Sequence, residues 1–157
     1  MDIYNELSNL IDSAVKINRE NRLRFNDMRK QMGPVQYAMQ MCTVEINVGR
    51  AVGYSTYIKR KAYEASRCGM LPLDLIVVAN MDIARNVFRE TPGVFTIDQV
   101  LQGATYPRGS SNALQFNRVY VDEPALCFRR EEYRMDMYAQ LLLSAGSNHP
   151  TFILLGS

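Results

Sequence analysis

The chain has 157 residues, enough for one domain with a substantial core, and its composition is that of an ordinary folded protein, 47% hydrophobic and 22% charged. Lys and Arg number 18 against 16 Asp and Glu, a formal charge of +2, which neither requires nor excludes a nucleic-acid partner. No apolar run approaches the roughly 20 residues of a membrane helix, so no membrane association is expected.

The N-terminal residues Met1-Asp2-Ile3-Tyr4-Asn5-Glu6 lack the basic and apolar regions of a secretory leader. Cys42, Cys68 and Cys127 are odd in number and far apart. They fit neither a disulfide framework nor a zinc spacing, and a reducing, cytoplasmic setting is expected.

Residues 2 to about 31 carry a helical pattern, with Ile3, Leu7, Leu10, Ile11, Ala14 and Val15 forming one apolar stripe. Its later part holds Arg19, Arg22, Arg24, Arg29 and Lys30. That run reads either as a solvated helix face or as a surface for nucleic acid or an acidic partner. Residues 1–34 are therefore set apart as an N-terminal helical extension from a core at 35–157. The stripe needs a cover, from the flank of the core or from a second chain, and a protein partner or homo-oligomer is expected.

Gly33-Pro34 breaks the pattern. Val35 to Met41 suits one short helix leading into the first strand. Within it, Gln36 is either an exposed helical glutamine or a reader of adenine, since its amide both donates and accepts.

Cys42 to Val48 begins with β-branched residues alternating with polar ones, a strand. The chain then turns through Gly49 and Gly53 and enters a helix over Ser55 to Arg67, with Cys68-Gly69 as a C-terminal signal. A strand, a glycine turn and a helix in this order make a phosphate-binding loop, because N–H groups at the helix start converge on one spot and the helix dipole favours an anion there. The motif is G-x-x-x-x-G-K-[ST]. Gly53, Ser55 and Thr56 are in place, Gly49 sits one position late, and Tyr54 stands where the lysine belongs.

Leu73 to Asn80 is a nearly continuous apolar strand, as in a parallel sheet covered on both faces. Asp82 to Arg89 reads as a short helix, Val94 to Ile97 as a weak strand, and Asp98 to Gln102 as a helical turn. Gly103 to Asn112 is a loop. Phe116 to Asp122 is a strand ending in Asp122-Glu123-Pro124. Arg129 to Ser144 is a helix, and Phe152 to Leu155 is the last strand. The alternation implies an α/β fold around a mainly parallel five-stranded sheet.

An aspartate at a strand's C-terminal end holds Mg²⁺, usually through water, and a glutamate beside it orients or deprotonates the attacking water. Asp122 and Glu123 fit those roles, against the alternative of ordinary surface acids at a strand end.

With these motifs in hand, Val35 to Ser157 resembles the core of the P-loop ATPases of the terminase and helicase type. Gly49-Arg50-Ala51-Val52-Gly53-Tyr54-Ser55-Thr56 resembles their phosphate loop, Asn117 to Pro124 their aspartate–glutamate strand, and Thr151 to Ser157 their last core strand. The resemblance implies ATP and Mg²⁺ as cofactors. Ser55 and Asp122 would ligate the metal, Thr56 would contact phosphate, Glu123 would act on water, Ser157 would sense the γ-phosphate and Arg50 would serve as an internal arginine finger. It also leads to the expectation that the first strand is central and flanked by the strand ending at Asp122. Tyr54 offers one hydrogen bond where lysine supplies a full charge, so hydrolysis is expected to be slow or absent. The rival readings are a pseudo-ATPase that binds or blocks a protein partner and a small structural viral protein in which the matches are accidental. His149 beside a proline reads as a loop residue, and Tyr54, Tyr57 and Tyr63 read as packing or as base-stacking groups.

Overall fold

Strands that are apolar at every position must be covered on both faces, and this requirement organises the molecule. A computed structural model describes residues 3–49, 52–67, 73–105, 116–145 and 149–156. The chain begins with α1 (Ile3–Arg24), α2 (Met28–Gln31) and α3 (Pro34–Met41), then β1 (Thr43–Ile46) and α4 (Tyr54–Arg67). Next come β2 (Leu73–Val78), α5 (Met81–Asn86), β3 (Val94–Thr96) and α6 (Ile97–Leu101). It closes with β4 (Phe116–Asp122), α7 (Pro124–Cys127), α8 (Glu131–Ala145) and β5 (Thr151–Leu155). The helical pattern of the first 31 residues is interrupted at residues 25–27, between α1 and α2. The Cys68-Gly69 stop and most of the 103–112 loop lie outside the described residues.

All strand pairs are parallel, in the order β1-β5-β4-β2-β3. One expectation is corrected here. β1 is an edge strand, and β5 lies between it and β4. The crossovers explain the face each helix takes. The steps from β1 to β2 to β3 run one way along the sheet, and α4 and Phe88, just after α5, pack on one face with Ile76, Val78, Tyr120 and Ile153. The steps back, through α6 and α8, put Val100, Met137 and Leu141 on the other face against Val77, Val119 and Phe152. Opposite directions of travel on opposite faces are what right-handed crossovers require.

Period-two alternation assigns each strand residue to a face. In β1, Val44 and Ile46 face α1 and α4. Thr43 and Glu45 face α8, where Thr43 Oγ1 lies 2.7 Å from the Tyr138 hydroxyl and Arg134 Nη1 lies 3.1 Å from Glu45 Oε1. Burying Leu7, Ile11 and Val15 docks α1 over β1 and β5. Asn18 reaches the Met41 carbonyl at 3.0 Å and Arg22 the Thr151 hydroxyl at 2.6 Å. Helix α1 thus runs antiparallel to the strands and packs along the flank of the core. Ile3 and Leu10, both in the expected stripe, remain exposed. Among the described residues no helix is long and apolar enough to cross a membrane.

Candidate functional site

Gly53, Tyr54, Ser55, Thr56 and Glu123, of the residues singled out in the sequence, meet at the C-terminal ends of the strands. Ile46 is in register with Leu155, and Leu155 with Asp122, so the ends of β1 and β4 lie two strand spacings apart, about 10 Å. Helix α4 leaves β1 to one face of the sheet and α8 follows β4 to the other. Where helices diverge in this way, a crevice opens beyond the carboxyl ends of an open α/β sheet. A cavity of about 300 Å³ lies there, lined by Val52, Gly53, Tyr54, Ser55, Thr56 and Glu123.

The turn after β1 depends on its glycines. Gly49 (φ +113°) and Gly53 (φ +100°) have backbone torsions that other residues rarely adopt. At Gly53 a Cβ would also lie 3.2 Å from Cδ2 of Tyr4 in α1, whose ring carries the Arg60 guanidinium 4.7 Å from its centroid. The first N–H to enter the α4 ladder is that of Tyr57, bonded to the Gly53 carbonyl at 3.0 Å. The N–H groups of Tyr54, Ser55 and Thr56 therefore precede the ladder, as at any helix start, and Gly53 has no side chain to cap them.

Tyr54, at the lysine position, turns inward. It is 5% exposed, and its hydroxyl accepts a hydrogen bond from the Val48 N–H at 2.7 Å. The Gly49 N–H donates to Asn47 Oδ1 at 3.3 Å. Two donors of the turn are thus already engaged within it.

Across the cavity, alternation places Asp122 on the α4 face together with Tyr120. Asp122 is 6% exposed, and burial, reinforced by the adjacent Glu123 charge, pushes its carboxyl up to about 6. No basic group acts on it among the described residues. Glu123 adopts a left-handed conformation (φ 54°, ψ 75°) at the N-cap of α7 and donates its N–H to the Leu155 carbonyl at 3.0 Å. Its carboxylate lies over Gly156, where an added Cβ would be 2.9 Å from both oxygens. Gly156 in turn donates to the Ile46 carbonyl at 3.0 Å. Nothing in the local pattern pointed to Gly156; the only available signal was a glycine directly after an apolar strand.

Of the remaining expected site residues, Gln36 is placed elsewhere. Gln36 is exposed on α3, which adjoins the opposite, N-terminal end of β1, and it does not line this cavity. Arg50 and Ser157 lie outside the described residues. His149 is half-buried edge-on against Tyr37, with ring centroids 5.1 Å apart. Its pKa is lowered by burial first, then by Arg29 and Arg22. Tyr57 is fully buried, and its hydroxyl donates to Asp12 Oδ1 at 2.7 Å. Lys61 closes on the same carboxylate at 3.2 Å, which locks α4 to α1.

Among the described residues no group of three or more His, Cys, Asp or Glu side chains is arranged to hold a metal. What lines the site instead is the Ser55 hydroxyl and the Glu123 carboxylate, with Asp122 buried beside Glu123 at the end of β4 and not in the cavity lining. No protein-family model matches the chain, and no curated protein matches it.

Proposed function

We propose that the chain binds ATP with Mg²⁺ between the Gly53–Thr56 turn and Glu123, as the core of a terminase- or helicase-type protein of nucleic-acid handling, with weak or lost hydrolysis. One observation carries this reading. The glycine turn and the acid, far apart in the chain, line a single cavity at the crevice where α/β sheets take ligands. The N–H groups of Tyr54, Ser55 and Thr56, with the α4 dipole behind them, suit a phosphate chain.

Ser55 and Asp122 are the groups that would hold the metal. Two adjacent acids, one buried with no basic side chain acting on it among the described residues, fit a divalent cation. When bound, the ion offsets the charge of the phosphate oxygens. Glu123, fixed by its left-handed backbone over Gly156, is the residue to orient or deprotonate water. Arg50 and Ser157 keep their proposed roles as the arginine contact and the γ-phosphate sensor.

Tyr54 accounts for weak catalysis. Electrostatic stabilisation is the main term in phosphoryl transfer, and a buried phenol committed to the Val48 N–H supplies no charge. The same hydrogen bond favours a second reading, a pseudo-ATPase that uses the tied loop only to shape a protein-binding surface. Exposed Arg24 and Lys30 at the far end of α1 and in α2 are the groups for nucleic acid or an acidic partner. The buried free thiols of Cys42 and Cys127 suit a reducing cytoplasm.

The test is titration with ATP, with and without Mg²⁺, on the unmodified chain and on Ser55→Ala and Glu123→Gln, alongside phosphate release. We expect Mg²⁺-dependent binding, weakened by Ser55→Ala, with little turnover. No binding at millimolar ATP would remove the nucleotide reading and leave the interaction module. Binding indifferent to Ser55→Ala would place the nucleotide elsewhere.

A further inference from the structure

We infer that two copies of this chain associate about a two-fold axis at the free edge of β1, which joins their sheets and packs α1 against its counterpart. Three features of the molecule converge on that arrangement.

The first is the edge itself. Phe152 donates to the Cys42 carbonyl at 2.8 Å and Gly156 to the Ile46 carbonyl at 3.0 Å. Even-numbered residues of β1 therefore point their backbone groups at β5. The N–H and C=O of Thr43 and Glu45 point the other way, and no further strand pairs with them among the described residues. Such an edge is a template for another chain.

The second is a row of aliphatic side chains beside that edge. Ile3, Leu10 and Ile17 are 64%, 46% and 56% exposed and recur every seven residues, which keeps them on one side of a helix. Asp12, Lys16 and Arg19, on the opposite side of α1, line a cavity with Lys61 of α4 and Arg118 of β4. The aliphatic row therefore faces away from α4, out past β1.

The third is that row and edge are self-complementary in the same frame. Helix α1 lies over β1 and β5. Antiparallel pairing of β1 with a second β1 puts the two α1 helices on the same face, two strand spacings apart, about 10 Å. That is the distance at which helices pack. The heights are compatible. Asn18 bonds the carbonyl of Met41, the last residue of α3, just before β1. Val44 lies two residues beyond Cys42, about 7 Å along the strand, and about 7 Å back along α1 at 1.5 Å per residue reaches about residue 13. An axis through Val44 thus passes within one helical turn of Leu10. The row reads Ile–Leu–Ile in either direction, so Leu10 meets Leu10 of the second copy and Ile3 meets Ile17. The outward groups of Thr43 and Glu45 then exchange hydrogen bonds, as antiparallel neighbours do. A partner of unrelated sequence would have no reason to match this palindrome.

A four-residue edge and one helix flank make a small interface, near the lower end of the stable range at about 1,200 Å² in total, and a dimer in exchange with single chains is expected. Sedimentation velocity of the full chain from about 1 to 200 µM should show the mass rising to twice that of one chain. Leu10→Asp, at an exposed position where folding tolerates it, should raise the dimer dissociation constant about tenfold or more. Glu45→Pro, which removes an outward N–H from an edge strand, should do the same. In a Cys68→Ser background, Leu10→Cys should form an intermolecular disulfide on mild oxidation. Circular dichroism confirms that each variant is folded. A single-chain mass at every concentration overturns the inference, as does a dimer that folded Leu10→Asp and Glu45→Pro leave unchanged.

Discussion

Replacing Tyr54 by lysine separates what the loop contributes to folding from what it contributes to binding, because the two effects have opposite signs. Tyr54 is 5% exposed and its hydroxyl holds the Val48 N–H. Tyr54→Lys removes a buried ring, though the lysine stem refills part of its volume, and removes one neutral hydrogen bond. The first loss costs about 2 kcal/mol, below the 3–5 of a full truncation to alanine. The second costs about 1 kcal/mol, since Val48 is half-exposed and its N–H regains water. A loss of about 3 kcal/mol lowers the melting temperature by roughly 6–12 °C in a chain of this length. The new ammonium, too costly to leave unpaired in the apolar cluster where the phenol sits, turns on its flexible stem to the cavity that Tyr54 borders and adds a charge-assisted contact to phosphate of about 1.5–3 kcal/mol. That is about 10- to 150-fold in affinity. ATP at about 100 times its dissociation constant stabilises by about 2.7 kcal/mol, so saturating nucleotide should nearly restore the melting temperature. The assay is calorimetric titration with ATP and Mg²⁺ together with melts in their presence and absence. Tyr54→Phe is the control, with a drop of about 1 kcal/mol and no gain of charge. A folded Tyr54→Lys variant with unchanged affinity would refute the reasoning, since the position would then not face a phosphate.

Gly156→Ala should destabilise the fold by about 1–3 kcal/mol, from the strained torsion and the collision with Glu123. Glu123→Ala removes the collision, so urea denaturation of the double variant should show a loss smaller than the sum of the single ones. Strict additivity would place the carboxylate away from Gly156. Asp122 binds its proton more tightly when folded, at about 6, than when unfolded, near 3.9. The folded state therefore holds more protons between those values, and stability falls as pH rises from about 4 to 6. Asp74, pushed up to about 6 by burial against the opposing pull of Arg118, titrates in the same window with the same sign. Asp122→Asn should flatten the melting-temperature profile across that window and stabilise the chain at pH 7 without metal; an unchanged profile would refute a buried carboxyl. Added Mg²⁺ at pH 7 should stabilise the unmodified chain and leave Asp122→Asn nearly unaffected, and equal shifts in both would exclude Asp122 as a ligand.

Local chemistry was enough to locate the elements and the turn. Leu73 to Val78 and Phe152 to Leu155 are apolar at almost every position, which only a strand covered on both faces accommodates. Their alternation with helical segments implied the parallel sheet. Gly49 and Gly53 were legible because a strand-to-helix turn needs torsions open to glycine. The Asp122-Glu123 pair was legible as the end of an apolar strand, which Pro124 closes. Tertiary structure decided the rest. A parallel sheet of these strands satisfies hydrogen bonding and crossover handedness with β1 at its centre or at its edge. Side-chain packing across both faces selected the order that inserts β5 between β1 and β4, so the expected neighbourhood of β1 differed. In α1 the stripe extends further round the helix than the sheet can cover, so Leu7 and Ile11 are buried while Ile3 and Leu10 face outward. At the start of α4, Tyr54 was free by sequence to face the cavity or the core. Its ring is held inward by Tyr57, Ile58 and the residues of α1 in one apolar cluster, and its hydroxyl by the Val48 N–H. Gly156 beneath Glu123 was invisible for the same reason: the contact joins the ends of two strands that become neighbours only once the sheet has formed.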